Sequence, residues 1–451
     1  MTQPSTKSSV HQLCPNAAGI DIGADTHWVS VPPERDRQPV RPFGCFTNDL
    51  HGLADWLQQC GITSVAMEST GVYWIPVFQI LEIRGFEVCL VNAHHLKTVP
   101  GRKSDVLDCQ WLRQLHSYGL LAASFRPDDA ICVLRSYIRQ RERLTECASV
   151  HIQRMQKALT EMNLQLPRVV SDITGVTGMK IIRAIVAGQR DPLQLAAMRD
   201  PRTKRSTDEI AAALEGDYRG EHVFVLEQEL LLYDTYLQQI ARCDDQIQAC
   251  LETFEDKSAP DAPLPPRPKG RKPSRNAPQF DLRSHLYRLC GIDFTQIDGL
   301  EVLTVQTILS EVGLDPRRFP SVKHFASWLG LCPGSRVSGG KVLSSKTRKV
   351  VNRAAKAFRI AAQSLAHSQT AMGAFYRRIR NRLGAPKAVT ATAHKLACLF
   401  YRLWSTGEAY VDIGADAYEQ QYQQRVLKHL KQRAQQMGFE LVPKPPLPEV
   451  S

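Results

Sequence analysis

The sequence predicts a fold of class α/β plus α, with a mixed sheet at the N-terminus and a mostly helical remainder. Strand-like and helix-like runs alternate over residues 17–126, whereas apolar residues in the middle of the chain recur at spacings of three and four. With 451 residues, of which 43% are hydrophobic and 23% charged, the chain is long and apolar enough for two or three domains with sizeable cores.

The N-terminal sheet is expected to be flanked by helices. The runs AAGIDIG and HWVSVPP indicate two strands joined by a short turn, and ITSVAMES and FEVCLVN indicate two more. Helices are predicted for TNDLHGLADWLQQC, for VYWIPVFQILEIRG, which ends at Gly85, and for SDVLDCQWLRQLHSYG. A β-rich start followed by alternating helices and strands is typical of a mixed sheet with helices on its faces.

Two long helices with heptad-like seams are predicted in the middle of the chain. The seam over residues 131–162 is interrupted by Arg141 and Thr145, and the seam over residues 226–254 is interrupted by Asp244. Such seams fit either two core helices that pack on each other or a coiled-coil arm that pairs subunits. The sequence leaves both alternatives open.

Positive charge is concentrated in one C-terminal segment. Residues 317–406, here called the basic block, hold 18 of the 57 Lys and Arg residues and none of the 45 Asp and Glu residues. The rest of the chain therefore carries a net charge of −6, against +12 for the whole. Because solvated surfaces normally mix both signs, an unopposed block of this length indicates a polyanionic partner, and nucleic acid is the obvious one.

Membrane and disulfide-rich proteins are not expected from this composition. No run of 18 apolar residues occurs, and the start MTQPSTKSSVHQLC has no apolar signal core, so a cytosolic protein without a membrane partner is expected. The 12 cysteines are scattered singly, which argues against a disulfide framework and against a structural zinc site.

Four acidic residues stand out by their positions. Asp21 lies inside the first apolar strand, and Glu68 ends a later strand, at the edge where α/β sheets place ligands. Asp105 and Asp108 open a helix for which Ser104 is a normal N-cap, and their spacing puts them on one face. An ordinary acidic first turn would explain this pair equally well. If the four carboxylates converge, their oxygens suit Mg²⁺, and two such ions can hold the attacking and leaving oxygens of a phosphodiester displacement.

Three sequence blocks resemble the DEDD transposases of bacterial insertion sequences, the family described as bridge-RNA-guided recombinases. The blocks are GIDIGADTHWVSV, the run from AMESTGVYW to DVLDCQWLRQL, and FASWLGLCPGSRVSGGKVLSSKTRKVVNRAAKAFRIAA. The resemblance implies an N-terminal RuvC-like domain of the ribonuclease-H fold, a helical coiled-coil arm and a basic, mostly helical transposase domain. It also implies that the family's acidic quartet, which binds Mg²⁺ or Mn²⁺, falls on Asp21, Glu68, Asp105 and Asp108.

The resemblance further implies a catalytic serine, which falls on Ser338 in GLCPGSRVSGGK. The two glycines that follow allow close backbone approach to a phosphate, although VSGGK by itself indicates only a flexible turn. A serine hydroxyl can attack phosphorus and hold a DNA end as a phosphoserine, but the base that activates it is not identified. Nucleic-acid-binding residues are expected around this serine: Arg336, Lys341, Lys346, Arg348, Lys349, Arg353 and Lys356.

The predicted domains are a RuvC-like catalytic domain over residues 15–126 and a helical coiled-coil region over 127–255. A Pro-, Lys- and Arg-rich linker, expected to be mobile, follows over 256–282. The basic transposase domain is expected over 283–407, and a tail with an amphipathic basic helix over 408–451.

The predicted function is that of an enzyme, a transposase or site-specific recombinase that excises and inserts its own insertion sequence. A structured guide RNA would choose donor and target DNA by base pairing, and the resemblance implies a homo-oligomer, a dimer or tetramer, in the bacterial cytoplasm near the nucleoid. One alternative is a metal-dependent nuclease that resolves branched DNA, which needs the quartet but not Ser338. The other is a catalytically inactive RNA- or DNA-binding protein, against which the intact quartet and serine argue.

Overall fold

The chain divides into two compact units, Met1–Arg126 and Pro127–Ser451. Each unit has its own hydrophobic core. The predicted fold class is confirmed, since a mixed sheet with helices in the first unit precedes a mostly helical second unit. The computed structural model describes residues 12–69, 71–92, 104–258, 263–268, 274–348 and 350–442.

The first unit is built on a five-stranded mixed sheet. Its strands are β1 (Ala17–Ile22), β2 (Thr26–Ser30), β3 (Val40–Gly44), β4 (Ser64–Glu68) and β5 (Glu87–Val91), in the order β3-β2-β1-β4-β5. The pairs β1–β2 and β2–β3 are antiparallel, whereas β1, β4 and β5 run parallel. The sequence did not predict β3, because Pro42 weakens a strand pattern, and its place at the sheet edge tolerates the missing backbone donor.

Helices cover both faces of this sheet. They are α1 (Thr47–Gln59), α2 (Trp74–Ile83) and α3 (Asp105–Ser117). The apolar sides of α1 and α2 share a core with alternate residues of β1 and β4. The third helix packs across β1 and also contacts β2 and β4, and it buries Cys109 and Leu112. Because successive strand residues point to opposite faces, the residues of β1 and β4 that are absent from that core face α3.

Two long helices, α4 (Asp129–Glu161) and α9 (Gly220–Glu252), form the axis of the second unit and pack along each other. The structure therefore shows the first of the two alternatives for the heptad seams, a pairing within one chain. The charged residue that interrupts one seam pairs with the charged residue that interrupts the other, since the buried Arg141 guanidinium donates to the buried Asp244 carboxylate. Each charge offsets the desolvation of the other, so removing one alone would leave a buried unpaired ion.

Four short helices lie between the two long ones in sequence and share a core with them. They are α5 (Leu166–Val169), α6 (Val176–Val186), α7 (Pro192–Ala197) and α8 (Thr207–Ala213). Met155 and Leu159 of α4 and Leu226 and Leu230 of α9 are buried in this core.

The rest of the second unit packs around one long buried helix. Phe400 on this helix stacks on Phe294 with ring centroids 4.1 Å apart, and Phe325 and Phe358 pack near it. A two-stranded antiparallel ribbon stands beside this core, as β6 (Arg336–Ser338) and β7 (Lys341–Ser344). The helices are α10 (Leu282–Cys290), α11 (Val302–Val312), α12 (Val322–Trp328), α13 (Arg353–Ser364), α14 (Ala371–Leu383), α15 (Ala385–Thr406) and α16 (Gly414–Gln436), of which α15 carries Phe400.

The segment predicted as a linker is tied to the helices where the structure describes it. The Lys257 amide donates to the Arg288 carbonyl, and Arg283 donates to the carbonyl of Pro265. Arg141 donates to the carbonyl of Asn276 in the same way. Residues 259–262 and 269–273 of this segment lie outside the described residues. Throughout the part of the chain that the structure describes, no helix is both long and apolar enough to cross a bilayer.

Candidate active site

The predicted acidic quartet is brought to one face of the first unit. In β1, Ala18, Ile20 and Ile22 belong to the core under α1 and α2, so Asp21 points to the face that α3 covers. The same alternation in β4 puts Glu68 on that face, because Val65 and Met67 belong to the opposite core. The remaining two acids lie in the first turn of α3 itself.

The environment of Asp21 disfavours its ionised form. Burial raises the pKa of Asp21 from 3.8 to about 6, and repulsion from Asp105, Asp108 and Glu68 adds to that rise. Two like charges that share a site disfavour the ionised form of each other. The Cys109 thiol next to this group has a pKa raised to about 12 by burial and by Asp21, so it stays protonated.

The start of α3 is fixed by the cap that the sequence predicts. The Ser104 hydroxyl accepts a hydrogen bond from the Leu107 amide at 3.3 Å, so the predicted N-cap is confirmed. The other end of the helix is anchored to β4, where the Ser64 hydroxyl lies 2.7 Å from Nε2 of the buried His116. Burial lowers the pKa of His116, so the imidazole is neutral in this contact. The cap fixes where α3 begins, and the Ser64–His116 contact holds the helix against the strand that carries Glu68.

Direct backbone contact sets the distance between α3 and the sheet. A Cβ atom at Gly19 would lie 2.3 Å from the Cys109 carbonyl oxygen and 2.4 Å from the Arg113 amide nitrogen. Only glycine allows this approach, because the neighbouring atoms belong to the helix backbone and cannot turn aside. Sequence reasoning missed this residue, although a glycine inside an apolar strand indicates that another backbone approaches closely.

Gly19→Ala is expected to push α3 outward and to lower the strand cleavage that the sequence predicts by about 10²-fold, the effect of an approximately 1 Å misplacement of catalytic groups. The melting temperature should fall as well, because helix and strand lose contact. Gly52→Ala is the matched control, since Gly52 lies exposed in α1, where an added Cβ atom would meet no other atom within 4 Å. That control should stabilise the helix by about 0.5–1 kcal/mol. Unchanged cleavage and melting in Gly19→Ala would contradict the spacing argument.

The four carboxylates do not form a closed ligand shell as they stand. Among residues 12–69, 71–92, 104–258 and the later described segments, no group of three His, Cys, Asp or Glu side chains is arranged to hold a metal ion. Strand alternation nevertheless puts Asp21 and Glu68 on the face that α3 covers, and Asp105 and Asp108 lie in the first turn of α3. A set of oxygen ligands alone is the type that hard divalent cations such as Mg²⁺ prefer.

Ser338 lies at the end of a hairpin strand. Gly339 and Gly340 have φ values of 54° and 76°, and positive φ at both central residues is what a two-residue type I′ hairpin turn requires. Ser338 pairs with Lys341 across this turn, so both side chains lie on one face of the ribbon, with Arg336 on the same face. The sequence pattern VSGGK, interpreted alone as a flexible turn, is therefore an ordered hairpin.

The opposite face of the ribbon is apolar and exposed. Val337 pairs with Val342, and these side chains are 60% and 65% exposed. Leu343, at the irregularity in the pairing, is 69% exposed. The hydroxyl of Ser338 is thus on the polar, positively charged face of a ribbon that the rest of the second unit leaves open.

The residues expected to bind nucleic acid differ in the partners that they have within the protein. Arg336, Lys341, Lys346 and Lys356 are exposed. Arg348 donates to the Ser327 carbonyl at 2.7 Å, so part of its guanidinium supports α12. Lys349 lies outside the described residues.

Arg353 has partners within the protein. Its guanidinium forms an ion pair with Glu142 of α4, and Nε lies 3.8 Å from the carboxylate of Glu311 on α11. These contacts tie the start of α13 to the long helix, which is a structural role that sequence spacing could not reveal.

Comparisons with known proteins identify the family. A family model described as transposase, of the IS110 DEDD type, matches residues 18–164, and a second, described as transposase of the IS116/IS110/IS902 family, matches residues 293–377. The two matches cover just over half of the chain. The chain belongs to the IS110 family of DEDD transposases. No curated protein matches it.

This transposase is a DNA-processing enzyme, and its candidate residues fall in both matched segments. The four acids lie in the first segment and Ser338 lies in the second. The DEDD type of domain typically depends on a divalent metal. Helix α16 and all four short helices between α4 and α9 lie outside both segments.

Proposed function

We propose that this transposase excises and inserts its insertion sequence by RNA-guided recombination, with a divalent-metal quartet and a serine nucleophile. The observation that carries the proposal is the arrangement of four carboxylates on one face of the first unit, where burial, and then the charges of the other three, raise the pKa of Asp21. A half-buried carboxylate near other carboxylates lowers the stability of the folded protein. Groups with a strongly raised pKa are found most often at functional sites.

Asp21, Glu68, Asp105 and Asp108 would hold Mg²⁺ or Mn²⁺. The fit rests on the donor set, which consists of carboxylate oxygens only, and on the mutual repulsion that a divalent cation would offset. When bound, such ions stabilise the charges on the attacking and leaving oxygens of a phosphodiester displacement. The chain's own contribution is to fix the position of α3 against β1 and β4 through Gly19 and His116, while Ser104 fixes the start of the helix that carries Asp105 and Asp108.

Ser338 would be the nucleophile. Its Oγ would form a bond to phosphorus while one phosphodiester P–O bond breaks, so that one DNA end leaves as a free hydroxyl and the other is held as a phosphoserine ester. Arg336 and Lys341 on the same face supply positive charge toward the phosphate, and the glycine turn adds no side chain that would obstruct it. The base that takes the serine proton is not assigned.

The proposed partners are donor DNA, target DNA and a structured guide RNA. The unopposed charge of the basic block supports contact with nucleic-acid backbones, and base pairing by the RNA would supply sequence choice. The active form is proposed to be a homo-oligomer, a dimer or tetramer, in the cytoplasm close to the nucleoid. The resemblance of the sequence blocks to bridge-RNA-guided DEDD transposases supports these finer assignments.

The decisive experiment combines purification with product sequencing. RNA that co-purifies with the protein is sequenced, and the protein is then incubated with that RNA, Mg²⁺ and DNA carrying the element ends and a target. Rejoined donor–target junctions that require both RNA and Mg²⁺ are the expected result. Cleaved branched DNA without rejoined products would favour the metal-dependent nuclease, and binding without any strand breakage would favour an inactive RNA- or DNA-binding protein.

Exposed lysines of the basic block are expected to make several phosphate contacts. Replacing Lys341, Lys346 and Lys356 together with Gln should lower the slope of log K against log salt by about two to three, since each neutralised phosphate contributes about 0.9. Filter binding to duplex DNA from low to moderate salt measures this slope. Arg353→Gln is the control, because Arg353 is paired with Glu142. Its loss should lower the melting temperature and leave the salt slope nearly unchanged. An unchanged slope in the triple variant would show that this surface does not contact DNA.

A further inference from the structure

Helix α16 is held on the second unit by cations that stack on aromatic rings. The Arg378 guanidinium of α14 lies 3.7 Å from the ring centroid of Tyr422 and 4.6 Å from that of Tyr418. Lys395 of α15 lies 4.4 Å from the ring centroid of Phe375 and 5.7 Å from that of Tyr418. A cation over the face of an aromatic ring is attracted by the electrons of the ring. These contacts therefore place two positive charges at the junction of α14, α15 and α16.

Four cations meet at this junction and are here called the cation cluster: Arg378, Arg382, Lys395 and Arg425. Burial lowers the pKa of Arg378, and Arg425 and Arg382 lower it further. Burial also lowers the pKa of Lys395, followed by Arg425 and Arg378. The carboxylate of Glu419 lies 3.7 Å from Nη1 of Arg378. That buried nitrogen has no hydrogen-bond acceptor among the described residues. Arg378 is therefore paired with one carboxylate, while Arg425 repels both Arg378 and Lys395 and Arg382 repels Arg378.

The positive charge continues along the free part of α16. Between Glu419 and Glu440 the sequence has no acidic residue, and the helix from residue 423 to its end at Gln436 is exposed except for a half-buried alanine. Arg425, Lys428 and Lys431 follow each other at intervals of three, so they lie along one side of the helix. This side extends the cation cluster by about 9 Å, at 1.5 Å of rise per residue.

We propose that the cation cluster and the adjoining basic side of α16 form a binding site for the phosphate backbone of duplex DNA, outside both segments that the family models match. The occupant is DNA because an IS110-family transposase acts on DNA and because single-sign charge without acids is complementary to a polyanion. The proposal requires only that the chain binds DNA, and it does not depend on the guide RNA or on the serine mechanism.

A second copy of the chain is the competing occupant of α16. Val426, Leu427, Leu430 and Met437 lie on the side of the helix away from the lysines and are 36–61% exposed. A helix pair through this stripe would change the mass of the protein in solution. It would not need the cations, which would repel their counterparts in the partner.

The test compares two double variants with a matched control. Arg382→Gln with Arg425→Gln removes two of the four cations of the cluster, and Lys428→Gln with Lys431→Gln removes its extension. Lys157→Gln with Arg202→Gln removes the same charge from exposed, ion-paired sites elsewhere in the second unit. Each of the first two variants should lower the salt slope for duplex DNA by about two, whereas the control should leave it unchanged.

Several results would overturn this assignment. If the salt slope of the variants falls for an RNA hairpin but not for duplex DNA, the site binds RNA. If the salt slope is unchanged for both, the cluster is not a nucleic-acid-binding site. A change of mass in light scattering, without nucleic acid, would assign α16 to a second copy. Loss of recombination is not used as a readout, so failure of the proposed function and failure of this site give different results.

Melting of the free protein separates a binding site from a structural cluster. Arg425→Gln relieves repulsion on Arg378 and Lys395, so without nucleic acid the melting temperature should stay the same or rise. Binding sites commonly sacrifice stability in this way. A lower melting temperature would show that Arg425 supports the fold, and that result would overturn its assignment to DNA.

Discussion

Ser338→Ala is expected to abolish the covalent protein–DNA adduct and recombination together, a loss of at least about 10³-fold, as for removal of the nucleophile in other enzymes. A recombinase must conserve the energy of the broken phosphodiester until the new strand arrives, and a protein–DNA ester does so, whereas attack by water does not. The substitution removes one oxygen from an exposed strand end, so folding and nucleic-acid binding should survive. A denaturing gel after incubation with RNA and a labelled DNA junction measures the adduct.

Neighbouring serines provide the controls. Ser344 pairs with Arg336 across the ribbon, so its side chain lies on the same face as that of Ser338. Ser335 and Ser345 flank the two strands. Alanine variants of these three should keep the adduct, and peptide mapping of the adduct should identify Ser338. An adduct on another serine would correct the residue. Recombination in Ser338→Ala, with no adduct in either protein, would remove the serine mechanism and favour a nuclease that uses water.

Asp21→Asn is expected to abolish strand cleavage and, in metal-free buffer, to stabilise the first unit. Cleavage is lost because the amide has no charge to hold a divalent ion. Stability rises because a half-buried carboxylate, repelled by Asp105, Asp108 and Glu68, is replaced by a neutral group of the same shape. The rise of about two units in pKa, discounted for solvent exposure, corresponds to about 1–2 kcal/mol. Denaturant melting and a cleavage assay with a labelled junction measure the two effects.

The stabilisation by Asp21→Asn should depend on pH in a defined direction. The pKa of Asp21 is about 6 in the folded protein, against an ordinary value of 3.8. Between these values the folded state binds more protons than the unfolded state, so the stability of the unmodified protein falls as pH rises. The gain from Asn should therefore be full above a pH of about 6 and should vanish near a pH of about 4.

Asp25→Asn is the matched control for this experiment, because Asp25 is an exposed acid in the turn after β1. It should keep both cleavage and stability. A chelator should stop cleavage by the unmodified protein, and Mg²⁺ added back should raise its melting temperature but not that of Asp21→Asn. Full cleavage by Asp21→Asn, or by the unmodified protein in excess chelator, would exclude the metal from the mechanism.

Local patterns in the sequence predict most of the first unit. Alternation along β1 and β4 is a property of any strand, so an acid between Ile20 and Ile22 had to point away from the apolar core. The N-cap at Ser104 is equally local. The strand β3 is not predicted because Pro42 interrupts its strand pattern. The hairpin at Ser338 is not predicted because two adjacent glycines are as typical of a flexible segment as of a type I′ turn.

Contacts between distant residues could not be predicted in the same way. Arg353 belongs to the basic block by sequence, yet it is paired with Glu142, which lies on a different helix far along the chain. Likewise, Arg141 and Asp244 each interrupt a separate seam, and only the packing of α4 on α9 makes them partners. The close approach of α3 to Gly19 also depends on tertiary packing. Sequence periodicity describes one element at a time, so it does not identify such pairs.

The exposed valines of the β6–β7 ribbon have a consequence for handling the protein in solution. As the ribbon has two strands, each has an outer edge that no further strand of the described chain covers. A short ribbon with one apolar face and open edges promotes aggregation, and flanking lysines and arginines are the usual protection. Colloidal stability therefore relies on the same side chains, among them Arg336 and Lys341, that are proposed to contact DNA. Variants that remove these charges should be checked for monodispersity before a weaker affinity is attributed to lost phosphate contacts.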